Sequence, residues 1–307
     1  MSDARAARFR PGGGPEARPA GGPASPAGRP AGPAGRPARP AGGPVGPVAA
    51  GDLAGSTGPV DPVVRLWRPA PGIVLALARS DRVLAAPRVV DRLRPEERRA
   101  AAGMPPWRAA EHLAGRALVR HLLAGLLGEE GAREPVAPEP GGRPRLPGSP
   151  GTGISVSHSG PYAVAAVGAG ADVGVDVQVP VPPSPRMLRR CCAPRTAARL
   201  TAMEPGPAAL AFARVWAVQE ACVKARGTGL AGAPWRVPAD PDAPAGAWGS
   251  LRWCRLPRPA GAGPEPAALA CAFGPPEPAG PSRTTAPAVA HSHRATGPVP
   301  TATTDRA

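Results

Sequence analysis

Apolar positions along the chain recur in short runs, several of which alternate with polar positions, and this spacing predicts β-strands. The clearest run is 173–179, where four valines occupy every second position. Successive side chains of a strand point to opposite faces, so Asp176 and Gln178 are expected to project together from the face without the valines. The predicted strands are 63–68, 73–78, 154–159, 162–168, 173–179, 247–256 and 267–273.

Other stretches have the 3.6-residue spacing of amphipathic helices. The predicted helices are 91–103, 107–127, 186–191, 195–203 and 207–226. One face of 107–127 carries Ala114, Leu118, Leu122 and Leu126, and the other carries Arg108, His112, Arg116 and Arg120. The basic row is either a binding surface or an ordinary solvated face. Both halves of the chain mix strands with helices, which predicts an α+β fold with the character of a duplicated lobe.

The helix predicted at 207–226 holds a second candidate group. Its core face is formed by Phe212, Val215, Trp216, Cys222 and Val223. Gln219 falls within that apolar face, where its amide needs a hydrogen-bond partner. Glu220 and Lys224 lie four residues apart beside it, which is the spacing of an exposed salt bridge and also of a catalytic pair.

Composition divides the chain into ordered and disordered parts. The 48 prolines and 40 glycines make up more than a quarter of its 307 residues and crowd both ends. Segments of this kind lack the apolar periodicity needed to join a core, so we predict disordered tails at 1–61 and 274–307. The intervening chain is predicted to form an N-terminal lobe at 62–153 and a C-terminal lobe at 154–273.

Charge and cysteine content narrow the class of protein. The chain has 37 basic and 22 acidic residues, a net charge of +15, and Lys224 is its single lysine. Such a balance favours an anionic partner. The five cysteines lack metal-binding or CxxC spacing, and no apolar stretch approaches the roughly 20 residues that cross a bilayer. We therefore expect a cytoplasmic monomer with reduced thiols and no membrane association.

Three polar groups could carry chemistry. Asp176 with Gln178 offers oxygen ligands of the kind that Mg²⁺ prefers, or is the wet face of a strand. His158, between Ser157 and Ser159 at a strand end, either contacts a phosphate or is an ordinary histidine. The loop 141–145 lacks the Walker ending but could clasp an anion. No GxSxG sequence surrounds the serines, which argues against a hydrolase nucleophile.

The order of these motifs resembles that of the surfactin-type 4'-phosphopantetheinyl transferases. The matching segments are GGRPRL (141–146), SVSHSG (155–160), VGVDVQ (173–178) and VWAVQEACVKARGTGL (215–230). EHLAGR (111–116) is similar to a segment of the enterobactin-type branch. The resemblance covers about 105–230.

This resemblance implies two lobes related by pseudo-twofold symmetry, with coenzyme A and Mg²⁺ bound between them. The implied reaction moves the 4'-phosphopantetheine arm of coenzyme A to a serine of an apo acyl or peptidyl carrier protein and releases adenosine 3',5'-bisphosphate. Asp176, Gln178 and Glu220 would be the metal ligands, and Glu220 and Lys224 the catalytic residues. The implied coenzyme A contacts are Arg108, Arg116, Arg143, Pro144, Ser157 and His158.

Three positions differ from the commoner family pattern. Gln178 stands where many relatives have Glu, and Gln219 and Arg143 stand where many have Lys. Gln178 removes one negative charge from the expected metal site, and Gln219 removes one cation from its neighbourhood. Arg143 keeps the positive charge. Two other functions remain open: a basic nucleic-acid-binding protein, although the chain has just 10 aromatic residues for stacking, and a relative that binds coenzyme A or carrier without turnover.

Overall fold

The first lobe is built on a six-stranded antiparallel sheet. In the computed structural model, which describes residues 64–139, 142–257 and 266–276, its strands follow the order β1-β2-β6-β5-β4-β3. They are β1 (Arg65–Ala70), β2 (Ile73–Arg79), β3 (Ala137–Pro138), β4 (Pro144–Arg145), β5 (Thr152–Ser159) and β6 (Tyr162–Ala169). The four longer strands were predicted from their apolar runs, whereas the two-residue strands β3 and β4 carry too short a pattern to be recognised.

Four helices complete this lobe. They are α1 (Ser80–Leu84), α2 (Pro87–Val90), α3 (Pro95–Ala102) and α4 (Pro106–Arg133). The predicted stripe of α4 packs on the sheet: Ala114, Leu118 and Leu122 are buried in the core that α4 forms with it. Gly128 has a positive φ of 77° and interrupts the helix, one residue after its predicted end.

The second lobe has a four-stranded sheet in the order β7-β10-β9-β8. Its elements are β7 (Asp172–Gln178), α5 (Pro185–Cys191), α6 (Pro194–Thr201), α7 (Pro205–Ala225), β8 (Ala245–Trp248), β9 (Leu251–Arg255) and β10 (Ala268–Gly274). Two 3₁₀ turns, Gly229–Gly232 and Pro234–Arg236, follow α7. The prediction of one strand at 247–256 was wrong, because the chain reverses at Gly249, whose φ of 59° is readily adopted by glycine.

The two lobes repeat one topology. In the first, β2 is followed by the long helix α4 and then by β5 and β6, and the three strands pair in the order β2-β6-β5. In the second, β7 is followed by the long helix α7 and then by β9 and β10, which pair in the order β7-β10-β9. The predicted α+β fold of two similar lobes is therefore confirmed.

The lobes stack as four layers, with α4 and α7 on the outside and the two sheets in the middle. Alternation within β2 shows this: Ala76 faces the core with α4, while Leu75 packs in a second core with Val173 and Val175 of β7. The predicted lobe boundary at 153–154 is too early. Because β5 and β6 pair with β2, the chain passes to the second lobe at the turn between Ala169 and Asp172.

Close packing of α7 on β7 brings the two candidate segments together. A Cβ atom at Gly174 of β7 would lie 2.0 Å from the carbonyl oxygen of Ala221 in α7. A side chain at 174 would therefore push the helix away from the strand. The contact places the helix face bearing Glu220 and Lys224 over the strand face bearing Asp176.

The predicted disordered tails at 1–61 and 274–307 lie outside the described residues, apart from 274–276. Within the described ranges, none of the helices combines the length and apolar character that spanning a membrane would require.

Candidate active site

Asp176 is the centre of a polar cluster between the lobes. Asp176 as a whole residue is 5% exposed. Oδ1 accepts hydrogen bonds of 2.6 Å from Ser157 Oγ on β5 and of 2.6 Å from Lys224 Nζ on α7. Oδ2 is buried and has no partner among the described residues. One oxygen of Asp176 is thus held by both lobes, while the other is available to a ligand.

Glu220 supplies a second available carboxylate oxygen. Its Oε1 is buried and lacks a partner in the described part of the chain. Burial and the nearby charge of Asp176 raise the pKa of Glu220, an effect that Lys224 partly offsets. Lys224 bonds to Asp176 and to the carbonyl oxygen of Val175. The exposed Glu220–Lys224 salt bridge considered from the sequence does not form.

These donors fit a divalent cation. Asp176 Oδ2 and Glu220 Oε1 are hard oxygen donors left without partners in a buried setting, and the pKa of Glu220 responds to the charge of Asp176. No group of three His, Cys, Asp or Glu side chains suited to a metal occurs in the described ranges. Gln178, the third ligand that the resemblance implies, carries an amide in place of a carboxylate. Its Nε2 donates to the carbonyl oxygen of Val179 at 2.9 Å.

His158, a residue of β5, packs against α4 at a point where the helix has a glycine. A Cβ atom at Gly115 of α4 would be 2.7 Å from His158 Nε2. That nitrogen is buried without a described partner. Burial, with Lys224 and Arg108 nearby, lowers the pKa of His158 to about 4. The imidazole is therefore neutral near pH 7.

A cavity between the lobes adjoins this cluster. Its volume is about 180 Å³, and its lining includes Gly142, Arg143, Pro144, Ser155, Lys224 and Gly227. The Arg143 guanidinium is buried and forms an ion pair with Asp172 at the start of β7. Lys224 therefore borders both the carboxylate cluster and the cavity.

Comparison with known families matches both lobes. A model described as the 4'-phosphopantetheinyl transferase N-terminal domain matches residues 96–168. A model of the 4'-phosphopantetheinyl transferase superfamily matches residues 172–257. The chain contains 4'-phosphopantetheinyl transferase domains. No curated protein matches the chain. The two domains indicate a transferase. The first match ends at residue 168 and the second begins at residue 172, where strand pairing changes from the first sheet to the second.

The basic row of α4 lies in three different environments. Arg108 is exposed and pairs with Glu111 at 3.5 Å. Nη1 of Arg116 and Nε2 of His112 are buried and lack described partners, and burial lowers the pKa of both groups. Arg120 is 1% exposed and ion-paired with Glu97. The row is therefore neither a uniform binding surface nor a solvated face, because Arg120 belongs to the core.

Ser157 and Gln219 both have hydrogen-bond partners within the structure. Ser157, expected to contact coenzyme A, donates its hydroxyl hydrogen to Asp176. Gln219 needed a partner and has two, because its Nε2 donates to the carbonyl oxygens of Cys191 and Val237 at 2.7 and 3.1 Å. Its amide nitrogen therefore connects backbone segments of the second lobe, although the resemblance implies that position 219 neighbours the metal site.

Sequence reasoning missed the side chains that join the lobes. Ser155 Oγ accepts from Val175 N at 3.0 Å, and Ser159 Oγ accepts from Val179 N at 2.9 Å. Serines at every second position of a strand were a visible signal, but the strand they face could not be known.

The five cysteines are all buried and free. Burial raises the pKa of Cys222 to about 12, which argues against a thiolate nucleophile there.

Proposed function

We propose that this transferase moves the 4'-phosphopantetheine arm of coenzyme A to a serine of an apo acyl or peptidyl carrier protein, with Mg²⁺ as cofactor and adenosine 3',5'-bisphosphate as the second product. The observation that carries the proposal is the pair of unpartnered buried oxygens, Asp176 Oδ2 and Glu220 Oε1, with Lys224 beside them on the cavity wall. The family domains support phosphopantetheine transfer in general.

In this proposal Asp176 and Glu220 hold the metal ion, and Gln178 adds its amide oxygen. When bound, Mg²⁺ supplies positive charge that neutralises the diphosphate of coenzyme A. Ser157 acts as a positioning residue, because its hydrogen bond to Oδ1 orients Asp176 and leaves Oδ2 available. Arg143 and Pro144 line the cavity and would contact coenzyme A there.

The transfer forms one phosphorus–oxygen bond and breaks another. The carrier serine oxygen bonds to the β-phosphorus, and the bond from that phosphorus to the bridging oxygen breaks, so the electron pair leaves with adenosine 3',5'-bisphosphate. Glu220 accepts the serine proton, directly or through water. Lys224 stabilises negative charge on the phosphates.

The remaining phosphate contacts come from the first lobe. His158 Nε2 and Arg116 Nη1 are buried nitrogens without acceptors in the described residues, and phosphate oxygens would supply those acceptors. Arg108, at the exposed end of α4, would add a charge at the entrance. Because His158 is neutral, it would contribute a hydrogen bond rather than a charge to the 3'-phosphate.

Intact-mass spectrometry tests the function directly. Apo acyl and peptidyl carrier proteins are incubated with the protein, coenzyme A and Mg²⁺, and a phosphopantetheine mass gain is expected. Asp176→Ala and Glu220→Ala each remove a charged ligand and should lower the rate on the order of 100-fold or more. Circular dichroism should show both variants folded. No mass gain on any carrier would contradict the proposal.

Gln178→Glu tests the third ligand position separately. A third carboxylate should lower the Mg²⁺ concentration at the midpoint of the rate titration, because Mg²⁺ prefers charged oxygen ligands. Direct Mg²⁺ binding, measured by calorimetry without coenzyme A, should tighten in parallel. An unchanged midpoint and affinity would place position 178 outside the coordination sphere.

A further inference from the structure

The ion pair between Arg143 and Asp172 joins the two lobes at the wall of the cavity. Arg143 precedes β4 in the first lobe, and Asp172 is the first residue of β7 in the second. Nη2 of Arg143 donates to Oδ1 of Asp172 at 2.5 Å, and the two side chains are 7% and 5% exposed. Taking two charges out of water costs free energy that their pairing does not always recover. A role beyond stability would account for this pair.

The main chain fixes both partners of the pair. In the turn between β3 and β4, Glu139 N donates to the carbonyl oxygen of Arg143 at 2.8 Å. Across the lobe boundary, Asp172 pairs with Gly274 of β10. A Cβ atom at Gly153 of β5 would lie 3.2 Å from Asp172 Cα, so the glycine lets the start of β7 lie directly against β5. Asp172 is therefore an acceptor in a fixed position.

The guanidinium of Arg143 has a second donor that no described residue uses. Its Nε is buried and lacks a partner among the described residues. A Cβ atom at Gly227 would lie 3.0 Å from Arg143 Cδ and 3.9 Å from Nε, and both residues line the cavity together with Lys224. Buried side-chain donors usually have an acceptor. An oxygen of an anionic ligand in the cavity would supply one here.

We propose that Asp172 is a positioning residue that holds Arg143 by Nη2 and so presents Nε to an anionic oxygen of coenzyme A. This inference rests on the proposed function. A guanidinium is a planar fork, so fixing one of its nitrogens fixes the direction of the others. A side chain that is already oriented loses less freedom when the ligand binds. Asp172 therefore favours binding of an anion although its own charge repels one.

The sign of one effect separates positioning from electrostatics. Asp172→Asn removes a negative charge from the cavity wall, so coenzyme A would bind more tightly if charge alone mattered. Positioning predicts the reverse: calorimetry with Mg²⁺ and without carrier should show a Kd for coenzyme A raised about fivefold or more. Asp242→Asn is the matched control. It removes the same charge from the exposed ion pair with Arg199 in the second lobe, and should change Kd by less than about twofold.

Arg143→Ala completes a double-mutant cycle with Asp172→Asn. It should raise the Kd for coenzyme A about tenfold or more in the wild-type background, but less than about threefold when combined with Asp172→Asn. In Asp172→Asn the KM for coenzyme A should rise while kcat stays within about twofold, because substrate and transition state lose the same contact. Thermal melts establish that each variant is folded at the temperature of the measurement.

Arg143→Lys tests the guanidinium fork without removing the ion pair. An ammonium group bonded to Asp172 has no second nitrogen to present, so Kd for coenzyme A should rise about fivefold or more. Adding Asp172→Asn to this variant releases the ammonium group, and part of the lost affinity should return. The same substitution at position 172 is thus expected to weaken binding beside arginine and to strengthen it beside lysine.

Each outcome decides the role of Asp172. Unchanged or tighter binding of coenzyme A by Asp172→Asn would overturn it, as would wild-type affinity in Arg143→Lys. Normal transfer by the wild-type protein would then leave the proposed function intact. If Asp172→Asn does not fold, the affinity of Arg143→Lys decides alone. A wild-type protein that neither binds coenzyme A nor transfers its arm would contradict the proposed function and the role of Asp172 together.

Discussion

Lys224 is the single lysine of a chain with 37 basic residues, and its ammonium group has a defined place. Its Nζ lies 2.6 Å from Asp176 Oδ1 and 3.2 Å from the carbonyl oxygen of Val175. A planar guanidinium is larger and donates in a fixed fork, so it does not fit the same pair of acceptors. Position 224 therefore requires more than a positive charge.

We expect Lys224→Arg to lower kcat about tenfold or more while the protein remains folded. The measurement is the rate of mass gain on carrier at saturating coenzyme A, with a thermal melt of the same sample. Lys224→Gln serves as the comparison that removes the charge. Wild-type kcat in both variants would contradict a catalytic role for Lys224.

His158 makes the stability of the folded protein depend on pH. Its pKa is lowered from 6.5 to about 4 in the folded protein, so the unfolded chain binds more protons between these values. Stability from this group is therefore complete above about pH 6.5 and falls as the pH drops toward 4. A shift of this size corresponds to about 3 kcal/mol.

His158→Gln should flatten that part of the pH dependence. Urea unfolding at pH 7 and pH 5 gives the free energy of unfolding for both proteins, and the loss on acidification should be smaller in the variant. The charge of Lys224 and Arg108 near the imidazole contributes to the lowered pKa. An identical loss in variant and wild type would show that other groups cause the acid sensitivity.

At the scale of elements, the approach of α7 to β7 determines whether Asp176 and Glu220 share a site. Gly174→Ala would place a methyl group within 2.4 Å of the Ala225 amide nitrogen and still closer to the Ala221 carbonyl oxygen. We expect a loss of about 1–3 kcal/mol in the free energy of unfolding, because backbone atoms must move. Transfer should fall as well, since the helix carrying Glu220 shifts.

Gly125→Ala is the matched control. Gly125 is exposed in α4 and nothing lies within 4 Å of a Cβ atom placed there. Alanine should leave activity unchanged and stabilise the helix by up to about 1 kcal/mol. Urea unfolding of the two variants tests this pair. Equal stabilities for Gly174→Ala and wild type would mean that the close contact is relaxed in solution.

The elements themselves were largely predictable because their signals are local. The alternation at 173–179 and the helical spacing at 107–127 are contained in the chain segments that form β7 and α4. Their partners were not predictable in this way. Pairing of β5 and β6 with β2 joins distant segments, so the lobe boundary was placed too early. The Arg143–Asp172 ion pair is likewise a consequence of tertiary structure.

At the scale of the molecule, the candidate site exists because two similar lobes meet at β5 and β7. The first lobe supplies His158 and Ser157, and the second supplies Asp176, Glu220 and Lys224. The motif order pointed to these residues through family resemblance. The geometry adds that Asp176 accepts hydrogen bonds from both lobes. A change in the contact between the lobes should therefore affect stability and chemistry together.

Ser155 and Ser159 test that coupling, because their hydroxyl oxygens accept the amide hydrogens of Val175 and Val179 from β7. Ser155→Ala/Ser159→Ala leaves two amides without acceptors, which should cost about 1–3 kcal/mol for each in the free energy of unfolding. Ser80→Ala is the control, since Ser80 Oγ is buried without a described partner and its removal should cost less than about 0.5 kcal/mol. Urea unfolding and Mg²⁺ titration of transfer are compared for the two variants. Because β7 carries Asp176, the double variant should also need more Mg²⁺, whereas lost stability with an unchanged Mg²⁺ midpoint would show that the serines join the lobes without positioning the metal ligand.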